Sequence, residues 1–205
     1  MSDIHSIFST PVYESDIYSF SKDELKILTD NKNVYKNTYN TTSLNTEILE
    51  HKKLKKLKKF LEKQLSTFVY EHLHIKNKLK FYITQSWLNF NKPGEYHHKH
   101  RHPNSIISGV LFIRGNDIPI VFHKDILKDL FVGILDTESD YNSYNNFNCR
   151  TSGFHSKEGL CLFFPSMTEH DVMVNNTKET RISLSFNTFV SGTLGDERSL
   201  TLLKL

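Results

Sequence analysis

Three pieces of the C-terminal part of the chain decide the fold: Gly159-Leu-Cys-Leu-Phe-Phe-Pro-Ser166, then His170, then Arg181-Ile-Ser-Leu-Ser-Phe-Asn187. The pattern predicts a strand that ends in a Pro turn, a lone His, a short hairpin, and a second strand that begins with Arg-x-Ser. Upstream, His100-Arg-His102 places two histidines one residue apart. The order and spacing of these residues indicate an iron site with a carboxylate clamp beside it.

The composition is that of a folded globular protein with a sizeable core. The chain has 205 residues, of which 38% are hydrophobic and 12% aromatic. This length suits a single domain. We therefore expect one domain over 1–205, with a mostly helical part at 1–79 and the β core at 80–205. We expect the protein to be a monomer or a homodimer.

The net charge of +3 is too small to indicate nucleic-acid binding over the whole molecule. Most of the excess comes from the lysine run at 51–59. Leucines at steps of three and four continue through this run, which predicts an amphipathic helix over roughly Thr46–His72 with lysines on its solvent side. A solvated helix face is therefore favoured over a nucleic-acid or membrane patch.

The two cysteines, Cys149 and Cys161, do not form a CxxC motif. The sequence also shows no signal peptide and no long apolar run. These features favour a cytoplasmic protein with free thiols and no membrane partner. If a phage encodes the chain, the expected compartment is the cytoplasm of its host.

Short strands follow the helical part of the chain. The predicted strands are Phe81–Phe90, Tyr96–His102, Ser105–Ile113, Pro119–His123, Leu130–Leu135, Gly159–Phe164, Asp171–Val174 and Thr180–Val190. A capping box at Ser21–Glu24 begins a short helix, and Asn31–Thr46 and Asp136–Asn148 are predicted loops. Helices first and strands afterwards predict a mainly β (α+β) fold, a jelly roll with N-terminal helices packed on one sheet.

The histidine cluster around residue 100 is a candidate metal site. Alternate residues of a strand share a face, so His100 and His102 can reach one ion, and His98 lies on the same face. Neutral imidazole binds Fe, Zn, Cu and Ni alike, and a polar strand rich in His by chance is the alternative. His170 would supply a third ligand and leave other coordination positions open, as a catalytic metal requires.

Arg181 and Ser183 are candidates for binding a carboxylate. If residues 171–190 form a hairpin, His170 and Arg181 are neighbours on adjacent strands. The guanidinium fork of Arg matches a carboxylate, and Ser183 points to the same face of the strand. A strand Arg also commonly makes an exposed salt bridge, which is the alternative interpretation.

Several segments together resemble the 2-oxoglutarate and Fe(II)-dependent oxygenases of marine bacteria and their phages. The resemblance rests on Ile7–Tyr13, Trp87-Leu-Asn89, Gly94, His100-Arg-His-Pro-Asn-Ser105, Ser108-Gly-Val110, Phe164-Pro-Ser166, His170-Asp-Val172 and Arg181-Ile-Ser-Leu-Ser-Phe-Asn187. It covers most of the chain, and its C-terminal motif is the most specific part. It implies a double-stranded β-helix with Fe(II), 2-oxoglutarate as co-substrate, and O2.

The resemblance also implies roles for single residues. His100 would be the first iron ligand and His170 the distal one, and Arg181 and Ser183 would bind the 5-carboxylate of 2-oxoglutarate. His102 stands where the wider superfamily has Asp or Glu. Three neutral imidazoles leave the metal more positively charged, and three-His zinc or copper sites are equally reasonable. His98 or a water could replace His102, and Glu169 and Asp171 rank below it.

The implied reaction is hydroxylation of an unidentified substrate with release of succinate and CO2. Asn89 is expected to contact the co-substrate, and Trp87, Phe112 and Asn104 are candidate pocket residues. Two alternatives stay open, a cupin-like three-His dioxygenase that does not use 2-oxoglutarate and a non-enzymatic jelly roll that binds a ligand. The substrate, which could be a peptide, a metabolite or a nucleotide, is expected to contact the loops at 31–46 and 136–155.

Overall fold

The fold consists of two β-sheets and a layer of helices. The computed structural model of the protein describes residues 9–76, 79–115, 117–124 and 145–205. Within these residues, every pairing between two strands is antiparallel. Strands are numbered β1 to β12 and helices α1 and α2 in chain order.

The larger sheet has eight strands. Seven of them are, in spatial order, β1 (Tyr13–Glu14), β9 (Cys161–Pro165), β6 (Ile107–Arg114), β11 (Arg181–Leu194), β4 (Leu79–Asn91), β3 (Thr41–Ser43) and β2 (Val34–Lys36). The eighth, β12 (Leu203–Lys204), pairs with the far end of β11. The two longest strands, β4 and β11, pair along almost their whole length and form the centre of the sheet.

The smaller sheet packs on the inner face of the larger one. Its four strands are, in order, β5 (His97–His100), β10 (His170–Val172), β7 (Ile120–His123) and β8 (Thr151–Phe154). Buried side chains from both sheets fill the space between them: Val110, Phe112, Ile120, Phe122, Leu160, Leu162 and Phe164. This arrangement confirms the predicted mainly β fold, a double-stranded β-helix.

A second core lies between the larger sheet and the helices. Ile182, Leu184 and Phe186 of β11 belong to this core. Because successive residues of a strand point to opposite faces, the residues between them face the smaller sheet. The helices therefore cover one sheet, as predicted, and leave the inner face of β11 to the functional site.

The helical elements are α1 (Lys22–Leu28), two 3-10 turns (Ile48–Glu50 and Lys52–Leu54), α2 (Lys55–Ser66) and a π-helical turn (Thr67–His72). The predicted capping box begins α1, since the side chains of Ser21 and Glu24 bond each other's backbone N–H. Leu54, Leu57 and Leu61 are fully buried, which confirms the amphipathic pattern. No helix among the described residues is both long and apolar enough to cross a membrane.

Some element predictions were wrong. The predicted single helix at 46–72 is divided into four helical pieces, and the predicted loops at 31–46 and 136–155 contain β2, β3 and β8. Strand β3 was missed because it is polar yet buried: the hydroxyl of Ser43 accepts a hydrogen bond from the backbone of Leu88 at 3.0 Å. The predicted strand Leu130–Leu135 lies outside the described residues.

The predicted hairpin between His170 and Arg181 is also wrong. Strand β10 pairs with β5 and β7, whereas β11 pairs with β4 and β6, so the intervening residues cross from one sheet to the other. Buried Asn175 fixes this crossing, because its side-chain amide donates to the carbonyls of Asn91 at 2.8 Å and Glu179 at 2.7 Å. His170 and Arg181 therefore extend from different sheets and are not neighbours within one sheet.

Candidate metal centre

Three histidines meet at one end of the smaller sheet. His100 ends β5, His170 begins β10, and the two are direct cross-strand partners. One ring nitrogen from each of His100, His102 and His170 lies within 4.8 Å of the others. The Nε2 atoms of His100 and His102 are 3.1 Å apart. The structure thus brings together the three residues that the sequence singled out. His102 lies two residues beyond the end of β5, although the sequence predicted a strand over Tyr96–His102.

Backbone oxygens hold two of these rings. Nδ1 of His100 lies 2.7 Å from the carbonyl oxygen of His98, and Nδ1 of His170 lies 2.9 Å from that of Thr168. A carbonyl oxygen can only accept, so the proton of each neutral ring is on Nδ1 and Nε2 carries the lone pair. Hydrogen bonds of this kind orient metal-binding histidines.

Side chains of the larger sheet orient the third ring. Nδ1 of His102 lies 2.8 Å from Oδ1 of Asn187 on β11 and 2.9 Å from the hydroxyl of Ser108 on β6. Its backbone N–H donates to the carbonyl of Ser166 at 2.9 Å. These contacts fix His102 although it lies outside a strand.

Burial keeps these rings neutral. It is the main cause that lowers the pKa of His100 to about 4 and that of His170 to about 3, and neighbouring imidazoles lower both further. Burial also lowers the pKa of His102. The rings are therefore unprotonated near pH 7, which is the form that binds a metal ion.

The spacing of the rings fits a shared metal ion. The lone pair on Nε2 of His100 points toward Nε2 of His102, 3.1 Å away. A cation bound between the two nitrogens would stabilise this contact. Two nitrogens bound at about 2.1 Å to one ion, at a right angle, are about 3.0 Å apart. The observed separation is therefore that of two adjacent ligands of one ion.

No carboxylate belongs to this cluster within the described part of the chain. Glu169 lies 3.8 Å from the amine of Lys99 and 3.7 Å from the guanidinium of Arg101. Asp171 is bound to Nε2 of His123 at 2.8 Å. Both acids next to His170 in sequence are thus engaged elsewhere.

Arg181 is buried, and none of the described residues gives it an anionic partner. It is 1% exposed, and no described residue accepts a hydrogen bond from its Nε or Nη2 atom. Nη1 donates to Ser183 at 3.2 Å and to Asn91 at 3.5 Å, and the guanidinium lies 5.4 Å from the centre of the Phe112 ring. Burial lowers the pKa of Arg181 to about 10, so it is still charged near pH 7. A buried charge of this kind requires an anion.

One face of β11 joins the guanidinium to the imidazoles. Its alternate residues form a polar row: Arg181, Ser183, Ser185 and Asn187. Asn89 of β4 lies opposite Ser183 and donates to the hydroxyl of Ser185 at 3.0 Å, while no described residue donates to its Oδ1. The three imidazoles, Arg181 and Asn89 line one cavity between the sheets. The site therefore offers metal ligands at one end and an anion partner at the other.

Comparison with known families agrees with this geometry. Residues 85–187, just over half of the chain, match the family described as 2OG-Fe(II) oxygenase. The chain belongs to this family. No curated protein matches it significantly by sequence.

Solved structures of 2-oxoglutarate oxygenases share the fold. A 2OG-Fe(II) family oxidoreductase from Burkholderia pseudomallei is 11% identical, with a TM-score of 0.54 over 86% of this chain and 83% of that chain. A prolyl-4-hydroxylase from Pseudomonas putida is 11% identical, with a TM-score of 0.53 over 87% and 93%. HygX from Streptomyces hygroscopicus, crystallised with nickel, 2-oxoglutarate and hygromycin B, is 8% identical, with a TM-score of 0.55 over 87% and 82%.

The oxygenase family uses Fe(II), 2-oxoglutarate and O2. The residues that line the cavity suit those groups on two independent grounds. Three neutral imidazoles present Nε2 atoms to a common point. The Nε and Nη2 atoms of Arg181, which have no partner among the described residues, suit the far carboxylate of a dicarboxylic acid.

Of the three predicted pocket residues, the structure brings one to the cavity and leaves two outside it. Trp87 lines the cavity, and its ring lies 5.8 Å from that of His102. Phe112 is not part of the cavity wall but packs beneath Arg181. Asn104 is not brought to the cavity either; it is exposed and has a φ of 57°, which Asn tolerates in a turn. The alternative ligand His98 is exposed.

Two residues of the oxygenase site were missed. His97 lines the cavity with its ring stacked on His100 at 4.4 Å, and its Nδ1 lies 3.4 Å from the amide of Asn40. Asn187, which holds His102, continues the alternation of Arg181 and Ser183 along β11. That alternation was a signal in the sequence which could have identified Asn187.

Proposed function

We propose that this oxygenase hydroxylates an organic substrate and converts 2-oxoglutarate to succinate and CO2. His100, His102 and His170 would hold Fe(II), and Arg181 with Ser183 would bind the 5-carboxylate of 2-oxoglutarate. When bound, iron with 2-oxoglutarate and O2 supplies the oxidising step, in which one oxygen atom enters succinate and the other enters the substrate.

The observation that carries this proposal is that the buried guanidinium of Arg181 contacts no anion among the described residues. Burying a guanidinium without an anion is energetically unfavourable. Because Arg181 lies in the same cavity as the imidazoles, we infer that an anion binds there and offsets this cost. Ser183 lies 3.2 Å from Nη1 and can donate its hydroxyl proton to the same carboxylate. The 5-carboxylate of 2-oxoglutarate, bound beside Arg181, would satisfy both groups.

Other residues of the chain would orient the bound groups. Asn187 and the backbone oxygens keep Nδ1 of each imidazole occupied, so that only Nε2 faces the ion. The ring of Phe112 excludes water from the face of the guanidinium that it contacts. Exclusion of water strengthens the attraction between the guanidinium and a carboxylate. Trp87 forms a wall of the cavity near His102.

The reaction is tested by measuring succinate. The chain is loaded anaerobically with Fe(II) and 2-oxoglutarate and then exposed to O2, and succinate is quantified by mass spectrometry. Wild type and His51→Ala, which removes an exposed histidine from the helical layer, should both form succinate, and His170→Ala should not. Succinate formation by wild type that does not exceed that of His170→Ala would contradict the proposal.

A three-His dioxygenase that does not use 2-oxoglutarate is the second candidate. The observation in its favour is that the described metal cluster contains imidazoles and no carboxylate. In such an enzyme Arg181 would be dispensable, so Arg181→Met would bind iron and 2-oxoglutarate as the wild type does. Iron binding without any consumption of O2 would instead indicate a binding module.

We place this reaction in the cytoplasm. The support is that Cys149 and Cys161 are both free thiols, which suits a reducing compartment. Fractionation of expressing cells followed by detection of the chain tests the location, and recovery from an oxidising compartment would contradict it.

A further inference from the structure

A second cavity lies beside the metal centre. Its volume is about 810 Å³, which is within the range of small-molecule sites. It shares no lining residue with the cavity that holds the imidazoles and Arg181. We call it the outer cavity.

The outer cavity adjoins the metal ligands at three points. Arg101, in its wall, lies between the two histidines at the end of β5. Thr168, also in the wall, provides the carbonyl that holds Nδ1 of His170 at 2.9 Å. The ring of Phe122, a third wall residue, lies 5.9 Å from the ring of His170. A molecule in the outer cavity would therefore lie next to the metal centre.

Part of the wall is apolar. Phe122 and Phe154 pack edge to face at 5.6 Å, and Val12 packs against the same cluster. Met167 is 60% exposed at the turn between β9 and β10. Aromatic rings and a flexible thioether form a surface that suits an apolar ligand body.

The charged part of the wall is mostly positive. Arg101, Lys124 and Arg150 line the outer cavity, and Glu169 is the one carboxylate among the described residues that do so. Glu169 contacts Arg101 at 3.7 Å and offsets one of the three positive charges, so the formal charge of the described wall stays positive. A concave surface with an excess of cations attracts and retains anions.

We propose that the outer cavity binds the organic substrate, and that this substrate carries an acidic group and an apolar body. The acidic group would contact the cations, and the apolar body would pack on the phenylalanines and Met167. Assigning the ligand as the substrate rests on the oxygenase reaction proposed above. The class of the ligand rests only on the wall of the cavity.

The ligand class is tested with two matched probes. The 205-residue chain is titrated by calorimetry with 4-phenylbutyrate and with its uncharged primary amide. The carboxylate should bind about tenfold or more tightly than the amide, and its affinity should fall as salt is added. Absence of carboxylate binding, or equal binding of the amide, would overturn the inference.

Substitutions test whether the probe binds in the outer cavity. Lys124→Gln should weaken 4-phenylbutyrate binding by at least about threefold, and Met167→Trp should obstruct it, whereas Lys59→Gln on the exposed face of α2 should leave it unchanged. Arg181→Met should also leave it unchanged. If Lys59→Gln lost as much affinity for the probe as Lys124→Gln, binding would depend on overall charge, which would overturn the inference. Complete loss of binding in Arg181→Met would also overturn it, because the probe would then occupy the co-substrate site.

The two proposals can fail separately. Succinate formation by the wild type without binding of 4-phenylbutyrate overturns the assignment of the outer cavity alone. Binding of the probe with the expected variant pattern, but no succinate from any tested condition, overturns the proposed reaction and leaves the ligand class in place.

Discussion

Replacing Arg181 with methionine should separate folding stability from co-substrate binding. The substitution removes the charge and keeps an unbranched side chain above Phe112. Two buried nitrogens of Arg181 have no partner among the described residues, and leaving such groups unpaired costs about 1–3 kcal/mol each. Their removal relieves that cost in the protein without its co-substrate.

The same change removes favourable contacts of similar size. The hydrogen bonds to Ser183 at 3.2 Å and Asn91 at 3.5 Å are each worth about 1 kcal/mol, and the ring contact with Phe112 at 5.4 Å adds about 2 kcal/mol or less. The relieved cost of the unpaired nitrogens and the lost contacts nearly cancel, so the free energy of unfolding should change by less than about 2 kcal/mol. The affinity for 2-oxoglutarate should instead fall by about 2–5 kcal/mol, or roughly 30-fold to several thousandfold.

Urea unfolding without co-substrate and anaerobic calorimetry with Fe(II) and 2-oxoglutarate measure the two quantities. Arg198→Met, at an exposed position near the C-terminus, is the matched control and should change neither. Unchanged 2-oxoglutarate affinity in Arg181→Met would refute the assignment of the clamp. A loss of unfolding free energy as large as that of a core truncation, about 3–5 kcal/mol, would refute the reasoning about unpaired nitrogens.

Two further substitutions test the scaffold of the site. Asn187→Ala should weaken iron binding about 10- to 100-fold, measured by anaerobic titration, because it releases Nδ1 of His102; unchanged affinity would show that this hydrogen bond does not support the metal. Gly109→Ala should lower the free energy of unfolding by about 1–3 kcal/mol, because the new methyl group would overlap the ring of Phe186. Gly153→Ala, whose methyl group meets only ordinary contacts, is the control and should unfold like wild type in urea; similar losses in both would contradict the packing argument.

The sequence allowed the key site residues to be chosen because their spacing is local. Two histidines one residue apart and Arg-x-Ser each specify which side chains share a direction, whatever the rest of the fold does. The three imidazoles do come together and Arg181 does line the same cavity. The prediction that His102 lies on the same strand as His100 was wrong, since β5 ends at His100 and contacts from β6 and β11 place the His102 ring.

Pairing between strands could not be predicted in the same way. Residues 171–190 carry the turn and strand signals of a hairpin. The bonds of Asn175 to Asn91 and to the backbone of Glu95, both distant in sequence, help to direct the chain to the other sheet. Strand β3 was missed for a related reason: its buried threonines and serine resemble a loop, and its place is set by pairing with β4. Both errors arise from contacts between residues far apart in sequence, which local patterns do not contain.

The polar row on β11 has a consequence for how this site can change. The anchor for the co-substrate and the support for a metal ligand lie on one strand at a period of two. A single-residue insertion or deletion before Arg181 that shifted the register of β11 would replace the whole row with Ile182, Leu184 and Phe186. Point substitutions can therefore tune the two functions separately, but a change of length in this strand would eliminate both in one step.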